Sequence, residues 1–432
     1  MPRYKKKKHN RLLDPPKRKV KKAKNNSRSP EDIKMTPSKP KKAKNNEGKI
    51  RVISGGNGKK AKKFKFFGFA LAILFVIVLV FQTVMPAGVF QTLINLVATA
   101  GSGSYPIAVS GGETLSVVPV GNYYYVLTDT HISAYTSSGK TLFSQSHGFE
   151  KPVVIASDAR ALVYGEGTKE YMIFDPSGLK NSAETENEII CGAVSDSGAY
   201  ALATYSSNYA SQVNVYSKRH KEVYKWFSAN YTVNGVALSS NGRKLAVSTY
   251  NSSSGVFNSK FNILNYKSAT PEFTETYDNT LIYGIKDSNK SSVAVIKSNG
   301  VDFVKWHNKN VTPYKDDYSI SFFRQSSSYN VAVFNRESDN TDNKIVLLSK
   351  SGNHKYTVKY SGAINDIRVK GRNIYCLSDT SVTVLDFEGN VKAVSAYGFG
   401  GVGLHVTSAN VAVVVTDNEV IRVKTIKESE SK

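Results

Sequence analysis

Two hydrophobic patterns divide the chain. Residues 66–81 read FFGFALAILFVIVLVF, with no charged or strongly polar side chain. Counted from Phe64 and carried to Pro86, the stretch is about the 20 residues a helix needs to cross a hydrocarbon core of ~30 Å. Its apolarity runs all round the helix rather than along one stripe, which suits lipid better than a soluble core. Phe66, Phe75 and Phe81 mark this expected span, set at 64–86. Beyond residue 101 the pattern changes to short alternating runs rich in Val, Ile and Tyr. Examples are YYYVL at 123–127, ALVYG at 161–165, KLAVSTY at 244–250 and NVAVVVT at 410–416. Ser, Asn, Asp and Gly separate them, with hairpin pairs such as Ser138-Gly139, Asn241-Gly242 and Glu388-Gly389. Such runs and turns predict an all-β body.

The runs repeat. GNYYYVLTDTHISAYTSSGKT (121–141) aligns without gaps on GRNIYCLSDTSVTVLDFEGNV (371–391), matching Gly121/Gly371, Tyr125/Tyr375, Asp129/Asp379 and Gly139/Gly389. GAVSDSGAYALATY (192–205) aligns on GVALSSNGRKLAVSTY (235–250). A period near 40 residues with four short strands per unit predicts the blades of a β-propeller. Units start near Gly112, Phe149, Ile189, Tyr231, Thr280, Ser319, Ala363 and Phe399, which makes eight; seven stays open because 317–361 and 398–427 are irregular. The last unit has room for three strands only. The orphan stretch YPIAVS (105–110) is therefore expected to supply its fourth strand and close the ring, removing open sheet edges.

Charge adds a topology. The chain has 432 residues and a formal net charge of +24. Up to Lys65 there are 25 Lys+Arg against 4 Asp+Glu, and beyond it 33 against 30. A near-neutral body thus carries a cationic tail, which excludes a basic nucleic-acid-binding globule. Residues 1–63 have almost nothing apolar to bury and read as a disordered tail. No Lys or Arg follows the apolar run until Lys140. The positive-inside rule then places the tail in the cytoplasm and the body outside a single-pass cell-membrane anchor. Ala98-Thr99-Ala100 has the look of a cleavage site but lies too far beyond the apolar run, so an uncleaved anchor is expected. The reading is a tail at 1–63, a transmembrane helix at 64–86, a stalk at 87–103 and a propeller at 104–428. The tail is either a plain topology signal or a contact for anionic lipid headgroups or nucleic acid.

The repeats of residues 121–141 and 371–391 resemble the quinoprotein type, and the Asp-Ser-Gly and Ser-Asn-Gly units resemble WD40-type blades. The whole layout is similar to a family of uncharacterised single-pass membrane proteins of Gram-positive, clostridial-type bacteria, with a basic tail, one helix and an external propeller. That resemblance implies the architecture and no activity.

No catalytic signature stands out. His9, His131, His147, His220, His307, His354 and His405 lack metal-ligand spacing. Cys191 and Cys376 fall in units four apart and are expected to be buried free thiols. Quinone enzymes carry regular tryptophan docking positions, whereas Trp226 and Trp306 are the only tryptophans here; no cofactor is expected. The 337–343 segment (ESDNTDN) lacks the glycine of a calcium loop. The remaining candidates are three connections that read as enlarged loops on one face, at 206–211, 251–258 and 337–343. Asn208, Tyr209, Asn251, Phe257, Asp339 and Asp342 are the candidate partner-binding residues on them. The expected function is a non-catalytic binding or scaffold protein of the cell envelope, engaging a protein or a cell-wall glycan. The rivals are an envelope enzyme with its site in the channel, and a tether acting through the tail.

Overall fold

A computed structural model describes residues 98–425 except 254, 289, 337 and 338. The residues expected to form the tail and the membrane span lie outside these. Among the described residues no helix is long and apolar enough to cross a membrane. Thirty-two strands form eight antiparallel sheets of four. In chain order the blades start at Thr114, Pro152, Ile189, Thr232, Ile282, Ser319, Asp366 and Gly403. Each expected unit start lies within a few residues of one of these.

The blade count rests on packing. Eight clusters of buried apolar side chains exist, and each joins one pair of successive blades. The last of these sets Val413, Val415 and Val420 of blade 8 against Val117, Tyr124 and Val126 of blade 1. The core is therefore a ring of wedges. Alternation along a strand survives, but both sides are enclosed. In Tyr123–Thr128, Tyr123, Tyr125 and Leu127 pack toward blade 2, while Tyr124 and Val126 pack toward blade 8. Blade equivalence is visible in the turns as well. Gly121 and Gly371 have φ of 59° and 62°, and Gly139 and Gly389 have 87° and 92°. L side chains rarely adopt that left-handed region, so glycine recurs there.

Ring closure uses the chain's own start. Ile107–Ala108 pairs with the strand Glu419–Lys424, through Ile107↔Val420 and Ala108↔Glu419. Val109 N adds a bond to Asn418 O at 2.9 Å. Blades 8 and 1 are also clasped by Thr114, whose N donates to Asp417 Oδ1 at 2.8 Å and whose Oγ1 donates to Thr416 O at 3.0 Å. Within each blade the first and second strands join on one side of the ring, here the lower face, as do the third and fourth. The second-to-third connections and the interblade loops form the upper face. The segment preceding the closing strand sits on the lower face of blade 1. Asn122 Nδ2 donates to Thr99 Oγ1, Ser138 Oγ to Gly101 O and Lys140 Nζ to Ala100 O, each at 2.8 Å.

One buried histidine ties stability to pH. His405 packs at a tilt against Tyr124, ring centroids 5.0 Å apart, and its Nε2 lies 2.8 Å from Ser137 Oγ. Burial, then the charges of Arg368 and Lys370, push its pKa down to about 3. Below pH ~6.5 the unfolded chain takes up a proton here that the folded chain refuses until about pH 3. Stability must then fall as pH drops through that window, by at most ~1.4 kcal/mol per pH unit. Urea unfolding of His405→Gln from pH 7 to pH 4 is expected to show a shallower decline than wild type.

Candidate functional site

The upper face of blades 3 to 5 gathers aromatic side chains. Six aromatics are exposed among the described residues: Tyr205, Tyr209, Phe227, Phe257, Tyr283 and Phe399. All six lie at upper-face ends of strands or in upper-face loops, and all but Phe399 belong to blades 3 to 5. Tyr205 and Tyr209 stand on the bend between Tyr200–Thr204 and Ser211–Tyr216. Tyr209 packs on Phe227 with centroids 4.7 Å apart. In blade 4 the ladder extends beyond the core. Lys244–Ser253 and Val256–Asn265 stay paired out to Ser253↔Val256, so Phe257 rides on a projecting hairpin against Tyr250. The face is polar where it is pinned: Asn251 Nδ2 donates to Asn230 O at 3.1 Å, and Ser228 Oγ and Ser211 Oγ both donate to Tyr231 O.

The six candidate residues thus all lie on the upper face, but not all in one group. Asn208, Tyr209, Asn251 and Phe257 share adjacent blades. Asp339 and Asp342 stand on blade 6, with Asp342 3.9 Å from Arg336 Nε. Residues 251–253 and 256–258 are strand rather than loop: the hairpin's backbone pairing carries them without a core. Phe227 and Tyr283 escape a reading of the sequence because they occupy ordinary positions in alternating strands, and Tyr205 because it directly follows one.

The central channel holds the second constellation. Three innermost strands, from blades 5, 6 and 7, bring in Lys286, Arg324 and Arg368. Buried Asp366 bonds two of them, Arg324 Nε to Oδ1 and Arg368 Nη2 to Oδ2, each at 2.9 Å. It also accepts Leu404 N at 3.0 Å. Arg368 Nε donates to Leu404 O at 2.9 Å. Lys286 is open to channel water yet enclosed by protein. That enclosure, and then Arg324 and Arg368, lower its pKa to about 8. Toward the lower mouth sit Asp158, Asp196 and Asp287. Burial raises Asp287 to about 6, although Trp306 Nε1 donates to its Oδ1 at 2.6 Å. Asp196 accepts Ser240 Oγ at 2.6 Å. Among the described residues no cluster of His, Cys, Asp and Glu is arranged to hold a metal ion.

The cysteines are free and lie in blades 3 and 7, opposite positions on the ring. Cys376 is buried; Cys191 is only partly so, a departure from the expected burial of both. Burial raises both thiols, Cys191 to about 12.

A closed eight-bladed propeller with an aromatic upper face and a charged channel defines the class of this domain. The chain belongs to the Family of unknown function (DUF5711), whose model matches residues 103–425. Comparison with curated proteins gives no match. Among solved structures the chain is similar to BamB from Moraxella catarrhalis, with 11% identity and a TM-score of 0.47 over 74% of this chain and 100% of that one. It is similar to apo AztD from Citrobacter koseri at 14% identity and a TM-score of 0.47, over 67% and 88% of the two chains. For Kuenenia stuttgartiensis hydrazine synthase the identity is 11% and the TM-score 0.40, over 76% and 99%. Likeness of this degree says nothing about function.

Proposed function

We propose that the protein is a membrane-anchored, non-catalytic binding platform of a Gram-positive cell envelope, and that its upper face at blades 3 to 5 docks another protein. The observation that carries this is the concentration there of five of the six exposed aromatics. Aromatic side chains offer large contact area at low entropic cost and are enriched at interface centres. A cell-wall glycan is the second reading, favoured by the three exposed tyrosines, whose rings can stack on sugars.

The anchor reading rests on the apolar run at 66–81 and its one-sided charge. The chain enters the ring on the lower face of blade 1. On the cytoplasmic side the basic tail would lie against anionic headgroups, with nucleic acid as the alternative contact. A membrane-impermeant thiol reagent should label Ser207→Cys in intact cells and Ser27→Cys only after lysis. Labelling of Ser27→Cys in intact cells would sink the topology.

The docking reading is tested by photo-crosslinkers placed at Tyr209, Phe257 or Asp339, with Lys218 on the lower face as control. One discrete product from Tyr209 and Phe257, absent from Lys218, is expected. Capture from Tyr283 should fall at least tenfold when Tyr209→Ser and Phe257→Ser are combined. Equal capture from both faces would remove the docking face.

A further inference from the structure

Among the described residues Lys286 stands without a partner on a channel wall that already carries two arginines. Asp366 answers Arg324 and Arg368, and its oxygens are taken up by these and by Leu404 N. Among the described residues Lys286 Nζ bonds to nothing, and neither Arg324 Nη2 nor Arg368 Nη1 has a protein partner. Two further carboxylates line the same cavity, Asp287 holding Trp306 and Asp196 holding Ser240, and neither bonds to Lys286. Packing does not call for a third cation here. An uncharged side chain at 286 would relieve its repulsion with both arginines and sacrifice no hydrogen bond or ion pair. Groups that break the rules of stable packing without compensation mark functional positions.

We propose that Lys286, Arg324 and Arg368 form a binding site in the central channel for a small oxyanion, a phosphate or carboxylate group carried by a small molecule. The cavity they face has a volume of about 510 Å³, within the usual range of small-molecule sites. Its walls include Val154, Val194, Val236 and Ile285, and such apolar walls focus the field of the cations onto whatever enters. Two guanidinium groups and an ammonium supply unshared N–H donors for charge-assisted bonds to an oxyanion. The lowered pKa of Lys286 fits a group awaiting a counter-ion. The site is independent of the docking face above.

The test is calorimetric titration of the full chain in non-ionic detergent with inorganic phosphate and, separately, with malonate. Wild type is compared with Lys286→Gln. Both carry the same basic tail, so the difference between them reads the channel. At least one probe is expected to bind wild type tenfold or more tightly than K286Q, while K286Q without probe melts at the same or a higher temperature. Preference for phosphate or for malonate tells which group the natural ligand bears. Malonate stays fully ionised above neutral pH, so its affinity for wild type should fall about tenfold from pH 7 to pH 9 as Lys286 loses its proton. The other groups facing the wall do not blur this. Guanidinium groups do not deprotonate in this range, Asp287 at about 6 is already ionised, and His405 at about 3 is neutral throughout. Identical binding by wild type and K286Q, or a lower melting temperature for K286Q, would overturn the site.

Discussion

Asp366→Ala is expected to cost about 3–5 kcal/mol of stability, the range for removing one partner of a buried charge network. Asp366 is 3% exposed and is bonded by Arg324, Arg368 and Leu404 N. Without it two guanidinium groups stand beside Lys286 with no carboxylate between them. Leu404 N, at the start of the first strand of blade 8, also loses its acceptor. Urea unfolding measures the loss. Adding Lys286→Gln to Asp366→Ala should recover part of it, because that removes a like charge from the same wall. A loss below ~1 kcal/mol, with no recovery in the double variant, would mean that channel water rather than Asp366 balances these charges.

The second large effect concerns closure. A chain starting at Gly111 should be less stable than one starting at Ala98 by about 4–6 kcal/mol, and prone to associate. The sum is built from three half-buried side chains, Tyr105, Ile107 and Val109, at about 1 kcal/mol each, and a few hydrogen bonds at about 1 kcal/mol each. The strand Glu419–Lys424 would then present an unpaired edge. A chain starting at Ser104 keeps the pairing and should lose no more than about 2 kcal/mol. Scanning calorimetry with light scattering separates the cases. Equal melting of the chains starting at Gly111 and Ala98 would show that Thr114 and its partners in blade 8 close the ring unaided.

The ring was readable because most blades repeat the same local events: an alternating run, a glycine at positive φ, a second run. Gly121, Gly139, Gly371 and Gly389 mark those events directly, and the three-strand last unit pointed to residues 105–110 as its missing strand. Eight blades follow from the packing of blade 8 on blade 1, which no local signal carries. The candidate site was readable in part. Tyr209 and Phe257 stood out as apolar residues in polar surroundings, but Asn251 looked like loop because a hairpin beyond the core needs no hydrophobic pattern. Phe227 and Tyr283 were invisible among many strand aromatics. The channel cations left no such trace. Lys286, Arg324 and Arg368 each fall in the first, innermost strand of a blade, among partly buried neighbours where a charge draws no notice. Only the closed ring brings blades 5, 6 and 7 to one wall.

The way the chain enters the ring also sets how it would bear load. Every other outermost strand is held to its blade by a covalent hairpin, whereas Ile107–Ala108 is held by two residue pairs, Ile107↔Val420 and Ala108↔Glu419. That strand runs from the lower face upward, so tension applied at residue 104 pulls along its axis and shears both pairs at once. Under such a pull this strand has no hairpin to hold it, whereas the outermost strands of the other blades do.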